Sequence, residues 1–240
     1  MNILITGATG LIGRALVAQW HHQHQLHILT RSSVKAKEIL AIDANYHHTL
    51  DTVDLNQIDA VINLAGEPIA DRRWSESQKQ KICQSRWQIT EALAEKIQQC
   101  TTPPKVLING SAIGFYGRQG NTVVTEEHSS FYPEFSHDIC ARWENLAQRA
   151  AGANTRVCLL RTGIVLSGKG GALGKMLPLF KYGLGGPIGD GQQFMSWIHL
   201  EDMVRLIDFL LQRDDLSGPF NATAPRPVSN KQFSHLLAER

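Results

Sequence analysis

The 240-residue sequence lacks any C-x-x-C pair: Cys83, Cys100, Cys140 and Cys158 are scattered. That argues against a zinc site and a disulfide framework, so no metal is expected and the thiols are read as reduced. It also lacks an excess of either charge. Lys and Arg number 24 against 22 Asp and Glu, which gives no reason to expect nucleic acid or an anionic membrane as a partner. There is no apolar run of about 18 residues, the length a membrane-spanning helix requires. Met1 passes into a strand-like run without a basic segment or cleavage site, so no signal peptide is predicted. Internal repeats and low-complexity tracts are missing too. What remains, with 42% hydrophobic and 19% charged residues, reads as a soluble, cytoplasmic, globular protein with a sizeable core.

Short apolar runs alternate with longer helical patterns. Strands are predicted at 2–6, 26–30, 60–66, 105–112, 156–166 and 194–200, with a weak one near 46–50. Helices are predicted at 11–20, 75–99, 135–150 and 201–212. In the helix "FSHDICARWENLAQRA" (135–150), Ile139, Trp143, Leu146, Ala147 and Ala150 recur at three- and four-residue steps and form its apolar face. This alternation predicts an α/β fold, a parallel sheet covered on both faces. Residues 167–192 differ. Gly-rich "SGKGGALG" and "GLGGPIGDG" flank "KMLPLFKY", which reads as loops and one short helix laid over the end of the sheet, where ligands bind in such folds.

The strongest local motif is "TGATGLIG" (6–13), placed between a predicted strand and a predicted helix. Gly7 permits a tight turn, Gly10 lets a pyrophosphate approach, and Gly13 lets the helix sit close to the sheet. Leu11 and Ile12 open the helix, whose free N–H groups would face the phosphates. The alternative is a glycine-rich turn without a ligand. After the second strand comes "LTRSS" (29–33), with Arg31 between Thr30 and Ser32 and no carboxylate. A basic residue there suits the 2′-phosphate of NADP, so NADP(H) is the expected cofactor. The alternative is an ordinary exposed arginine.

"TGATGLIG", "NLAG" (63–66), the Ser111 turn after "VLING" and "WIHLEDMV" (197–204) together resemble the extended short-chain dehydrogenase/reductases. The chain is closer still to their atypical epimerase-family branch, the YfcH-like proteins. That likeness rests on "NLAGEPIADRRW" (63–74), "SRWQITEALAEKI" (85–97), "RTGIVLSGKGGALGKMLP" (161–178), "GLGGPIGDGQQFMSWIHLEDM" (183–203) and "FNATAPRPVSNKQF" (220–233). The resemblance implies a doubly wound Rossmann domain over 1–166 and 194–212. It also implies a small, incomplete substrate lobe over 167–193 and 213–240, since the family's members continue past "NKQFSHLLAER". The cofactor-contacting positions it implies are Thr30 and Arg31, then Leu64, Ala65 and Gly66, with Arg86 and Val165. Arg86 read by itself suits a cofactor phosphate, a substrate phosphate, or a surface charge paired with Glu91.

Reactive members of the superfamily carry a Tyr-x-x-x-Lys pair for proton exchange with the substrate. Aligning the 135–150 helix on Glu144 puts Cys140 at the lysine position and Ser136 at the tyrosine position. No tyrosine in the sequence has a lysine four residues on. Ser111 is a candidate hydrogen-bond partner for a substrate carbonyl. Tyr116 in "GFYG" is a candidate acid–base group, or else it packs with Phe115 beneath the substrate lobe. His137 and Asp138 sit near the helix start, where an Asp is ordinarily a helix-terminal charge. Cys140 reads as a buried, inert thiol. His21, His22 and His24 read as surface, and His199 and Asp202 as a strand end and a helix first turn. Arg72, Arg73 and Trp74 suit a phosphorylated or nucleotide-linked small-molecule substrate, or a salt-bridged loop. Two functions stay open: an NADP-dependent oxidoreductase or epimerase-like enzyme, and a non-catalytic NADP(H)-binding redox sensor.

Overall fold

The computed structural model describes residues 1–239; Arg240, the last residue of the expected second lobe, lies outside them. The chain begins β1 (Asn2–Thr6), α1 (Leu11–Trp20), β2 (Gln25–Leu29), α2 (Ser33–Leu40), β3 (Asn45–His47) and β4 (Ala60–Asn63). It continues α3 (Glu76–Gln98), β5 (Val106–Ala112), α4 (Phe135–Gln148) and β6 (Arg156–Thr162). Then come β7 (Ile164–Ser167), α5 (Gly171–Lys181), β8 (Phe194–Met195), β9 (Trp197–His199) and α6 (Leu200–Gln212). The last elements are β10 (Gly218–Ala222), β11 (Val228–Ser229) and α7 (Asn230–Ala238).

Seven strands form one parallel sheet in the order β10-β6-β5-β4-β1-β2-β3. Its strands are apolar on both faces because both are covered. Ile3, Ile5, Ile28, Ile62 and Ile108 pack with Leu16, Val17 and Trp20 of α1 and Met203, Ile207 and Leu210 of α6. Leu4, Val61, Leu107 and Leu159 pack on the other side with Leu93, Ala94 and Ile97 of α3 and Ala147 of α4. Truncating one of these to alanine costs about 2–5 kcal/mol. From β1 the chain winds outward to β3 on one side, and from β4 outward to β10 on the other. The reversal lies between β1 and β4, and a crevice opens there at the carboxyl ends of the strands.

Several elements differ from the sequence-based expectation. The single strand at 156–166 is two, because Gly163 turns the chain out of the main sheet. A Cβ on that glycine would lie 2.6 Å from the Ser196 carbonyl oxygen. β7 therefore pairs with β9 in a separate two-stranded sheet, and the expected strand at 194–200 divides into β8 and β9. Within the stretch expected to form the second lobe, Gly218–Ala222 is β10 and pairs with β6 at the edge of the central sheet. Its aromatic, proline-containing sequence "GPFNA" hides the strand, since Pro is tolerated at a sheet edge. None of the described helices is long and apolar enough to cross a membrane.

Candidate functional site

The turn after β1 needs glycine at two places for steric reasons. Gly7 has φ +68°, and a Cβ there would lie 2.4 Å from the Leu64 carbonyl oxygen at the end of β4. On Gly13 a Cβ would lie 2.4 Å from the Gly7 carbonyl oxygen, so α1 sits directly on the turn. Gly10 is the N-cap of α1 and gives it no side-chain cap. The first-turn N–H groups, at Leu11 and Ile12 among others, are therefore left for another acceptor. No acidic residue occupies that first turn, which leaves the positive end of the helix dipole free for an anion. Leu64 and Ala65 close the other wall: Ala65 N–H donates to Thr6 Oγ1 at 3.1 Å.

The start of α5 meets this turn at Leu11. A Cβ on Gly171 would lie 2.9 Å from Leu11 Cδ2 and 3.4 Å from the Val165 carbonyl oxygen. Leu11, Val165 and the start of α5 are thus one cluster. Across the mouth, Lys175 of α5 pairs with Asp71 on the loop between β4 and α3. That ion pair involves neither Arg72 nor Arg73 of the loop. Arg72, Arg73 and Trp74 in the same loop are exposed, and Trp74 stacks edge-on against Phe135.

Thr30 and Arg31 follow β2, the neighbour of β1 on the side away from β4. Thr30 N–H donates to the His47 carbonyl at 2.9 Å, and Ser32 caps α2 by accepting from Lys35 N–H. Arg31 is exposed. Gly66 lies beyond β4, and the Arg86 guanidinium rests against it. Glu91, the alternative partner for Arg86, pairs instead with Arg149 at 3.2 Å.

Ser111, at the end of β5, donates to Glu144 Oε1 at 2.6 Å. Arg161 of β6 donates to both carboxylate oxygens of Glu144, each at 2.9 Å. Its Nη1 donates to Tyr116 Oη at 2.9 Å, and Tyr116 Oη donates to Asn221 Oδ1 of β10 at 2.8 Å. Burial would lower the Arg161 pKa, but its bonds to Glu144 and Tyr116 outweigh this and raise it. Tyr116 is only 4% exposed, and Arg161 stacks over Phe115 with 3.7 Å from Cζ to the ring centroid. The Tyr116 hydroxyl thus has both a donor and an acceptor within the protein.

Cys140 lies beside the same turn, and burial pushes its thiol up to about 11. Ser136 is in contact distance of Gly114, where an added Cβ would lie 3.1 Å from Ser136 Cβ. His137 is buried, stacked on Phe131 at 4.1 Å. His199 accepts from Glu201 N–H at the start of α6.

Sequence reasoning missed a second buried polar chain beneath the crevice. Thr6 Oγ1 donates to Asn63 Oδ1 at 2.6 Å, while Asn63 Nδ2 donates to Thr90 Oγ1 and Asn109 Oδ1. Trp143 Nε1 also donates to Thr90, at 2.9 Å. The available signal was an asparagine closing each of the apolar runs "AVIN" and "VLIN", a polar group that must find partners when buried.

The sequence matches the model described as the NAD dependent epimerase/dehydratase family over residues 3–222. It is 40% identical over 234 residues to the epimerase family protein Mb2239 of Mycobacterium bovis, covering 97% of this chain and 76% of that one. Among solved structures, the human epimerase family protein SDR39U1 (isoform 2), crystallised with NADPH, is 32% identical with a TM-score of 0.88. That match covers 98% of this chain and 78% of the human one. A nucleoside-diphosphate sugar epimerase from Corynebacterium glutamicum is 35% identical with a TM-score of 0.83, over 99% of this chain and 49% of that one.

Proposed function

Since the chain belongs to the NAD dependent epimerase/dehydratase family, we propose that it binds NADP(H) and acts as an oxidoreductase or epimerase-like enzyme on a nucleotide-linked small molecule. The glycine cradle fits a dinucleotide: side chains at Gly7 and Gly13 would collide with backbone, and α1 offers uncapped N–H groups. The observation that carries the NADP(H) reading is Arg31, exposed at the end of β2 in a turn without a carboxylate. Thr30 flanks it on the adenosine side, while Leu64, Ala65, Gly66, Arg86 and Val165 line the remainder. The NADPH-bound human relative supports the same choice.

The bound cofactor would supply hydride transfer at its nicotinamide ring. Ser111 is the residue we assign to the substrate. Its proton is committed to the Glu144 carboxylate, so its lone pairs are left to accept a hydrogen bond from a substrate hydroxyl. Tyr116, with its hydroxyl occupied on both sides, takes no part in this assignment. The substrate class is supported by the nucleoside-diphosphate sugar epimerase relative and by exposed Arg72 and Arg73 at the mouth. We read 1–166 and 194–212 as the cofactor domain, with β10 as its edge strand, and the remainder as the substrate lobe.

The test is a fluorescence titration with NADPH and, separately, NADH. One charge-assisted hydrogen bond is worth about 1.5–3 kcal/mol, so Arg31→Ala should weaken NADPH by about 10- to 100-fold and leave NADH unchanged. Equal losses for both ligands would remove Arg31 from the assignment. The second reading, a redox sensor without turnover, is favoured by Ser136 and by the unreactive Cys140 thiol at the positions of the usual pair. NADPH binding without hydride transfer to a panel of nucleotide sugars and their keto forms would select it.

A further inference from the structure

Arg31, the exposed cation read above as the partner of the 2′-phosphate, has two histidines behind it. In the register of β2 with β3, His47 stands opposite Leu29 and His27 opposite Asn45. Side chains alternate along a strand, so His27 and His47 share one face of the sheet as diagonal neighbours. Nδ1 of His27 lies 3.2 Å from Nε2 of His47, and both rings are half-buried. The Thr30 N–H donates to the His47 carbonyl at 2.9 Å, which ties the carboxyl end of β3 to the residue before Arg31. One strand across and two residues along put the His47 Cα roughly 8 Å from that of Arg31. The segment over this face carries Asp51 and Asp54, with Thr52 at His47 Nδ1, and Lys96 of α3 donates to the Leu50 carbonyl. On the opposite face α2 brings Lys35, Lys37 and Glu38, with Lys37 over the Tyr46 ring. His48, next in the chain, is exposed. Among the described residues no carboxylate pairs with Arg31, His27 or His47.

We infer that His27 and His47 together form a proton-operated second cation for the 2′-phosphate, so that the protein favours NADP(H) over NAD(H) more strongly as pH falls from 8 to 6. The inference rests on the cofactor reading above. Burial holds both rings below the ordinary histidine value, so at pH 8 the pair is neutral and Arg31 acts alone. The two rings share a hydrogen bond, and one added proton can be accommodated between them without setting two cations face to face. A phosphate held at Arg31 draws that proton onto the pair, and the coupling is reciprocal: what the phosphate adds to proton affinity, the proton adds to phosphate affinity. At this separation, in the high dielectric of a protein surface, the attraction amounts to about 3- to 10-fold in affinity. NADH has no 2′-phosphate, and its two phosphates belong at the glycine turn after β1, one strand further from His47.

The test is isothermal titration with NADPH and, separately, NADH at pH 8 and pH 6, on wild-type protein and on a double variant, His27→Gln with His47→Gln. Glutamine at both places keeps hydrogen-bonding groups but cannot take the proton. The 2′-phosphate itself gains a proton near pH 6, which weakens NADPH equally in both proteins, so the comparison is between proteins. The ratio of NADPH affinity at pH 6 to that at pH 8 should be about 3- to 10-fold larger in wild type, with the NADH ratio the same in both. NADPH affinity equal to wild type at pH 8 reports that the variant is folded. A second measurement needs no variant: in buffers of different ionisation heat at pH 7, NADPH should take up more protons than NADH on binding wild type. Equal NADPH ratios in the two proteins, an equal gain for NADH, or proton uptake no greater with NADPH would overturn the inference while the cofactor reading stands. Wild-type protein that binds NADPH no more tightly than NADH at pH 8 would overturn the cofactor reading and this inference with it.

Discussion

Arg161 shows how much one residue in this fold is asked to do. It stands in the apolar strand "RVCLLRT", where an unpaired charge would be untenable, and it pairs with Glu144 while bracing Tyr116. A buried pair is poor evidence of net stabilisation, but removing one partner strands the other and costs about 3–5 kcal/mol. Arg161→Met should therefore lower the unfolding free energy by about that amount in a urea titration. Tyr116→Phe removes one hydroxyl from the same network and should cost about 1–3 kcal/mol, with NADPH affinity unchanged. A Tyr116→Phe variant of full stability would mean that the hydroxyl's bonds to Asn221 and Arg161 are not held in solution. This network was only half legible in the sequence. Ser111 and Glu144 were recognisable from their motifs. The charge inside β6 announced that a partner existed, but its identity depends on α4 crossing over the ends of β5 and β6, and no spacing encodes that.

At the level of elements, β2 and β3 carry a pH-dependent join. His27 and His47 stack at 5.4 Å with an interplanar angle of 12°, and Nδ1 of His27 lies 3.2 Å from Nε2 of His47. Thr52 Oγ1 donates to the Thr49 carbonyl, so it accepts from Nδ1–H of His47 at 3.2 Å. His47 Nε2 is then an acceptor, and Nδ1–H of His27 fills it. One further proton can be shared along this chain, but a second sets two imidazolium rings face to face. Burial holds both histidines below their ordinary value, and for His27 the charge of His47 adds to it. Groups whose folded pKa is depressed contribute stability above their unfolded value, near pH 6.5, and lose it as pH falls through the folded value. Asp51 and Asp54, in the segment over this face, and Lys96, which donates to the Leu50 carbonyl, are the other charges nearby. Urea midpoints should accordingly fall between pH 7 and pH 5, and His47→Gln should flatten that slope. A slope unchanged by the substitution would assign the loss to other groups. Element positions were largely readable: β1, α1 and α4 fall where their apolar periodicity puts them. The break between β6 and β7 was not, because strand-forming residues stand on both sides of Gly163 and only the close approach of Ser196 to that glycine shows where the chain leaves the sheet.

For the whole molecule, α5 lies over the crevice with little of its own surface buried. No residue of α5 is buried. The helix is flanked by Gly170 and Gly171 on one side and by Gly183, with φ +70°, on the other. What ties it to the body near the crevice is the contact of Gly171 with Leu11 and the exposed pair Lys175–Asp71. An element with so little buried surface opens at low free energy. Its amides should exchange rapidly in cofactor-free protein, and NADPH should slow exchange over 170–181 together with the glycine turn, since Leu11 belongs to both. Slowing confined to the turn would show that α5 does not respond to the cofactor.

The position of β10 has a consequence for how the chain is made. Each strand from β2 to β6 finds one neighbour in chain already synthesised, but β6 keeps its other edge bare until Gly218–Ala222 arrives. At ribosomal rates of about 5–20 residues per second, that interval is on the order of 3–11 s. Throughout it, the apolar residues Val157, Cys158, Leu159 and Leu160 border an unpaired edge, the kind of template that recruits foreign strands. The newborn protein is most in need of a chaperone while α5 and α6 are still being translated.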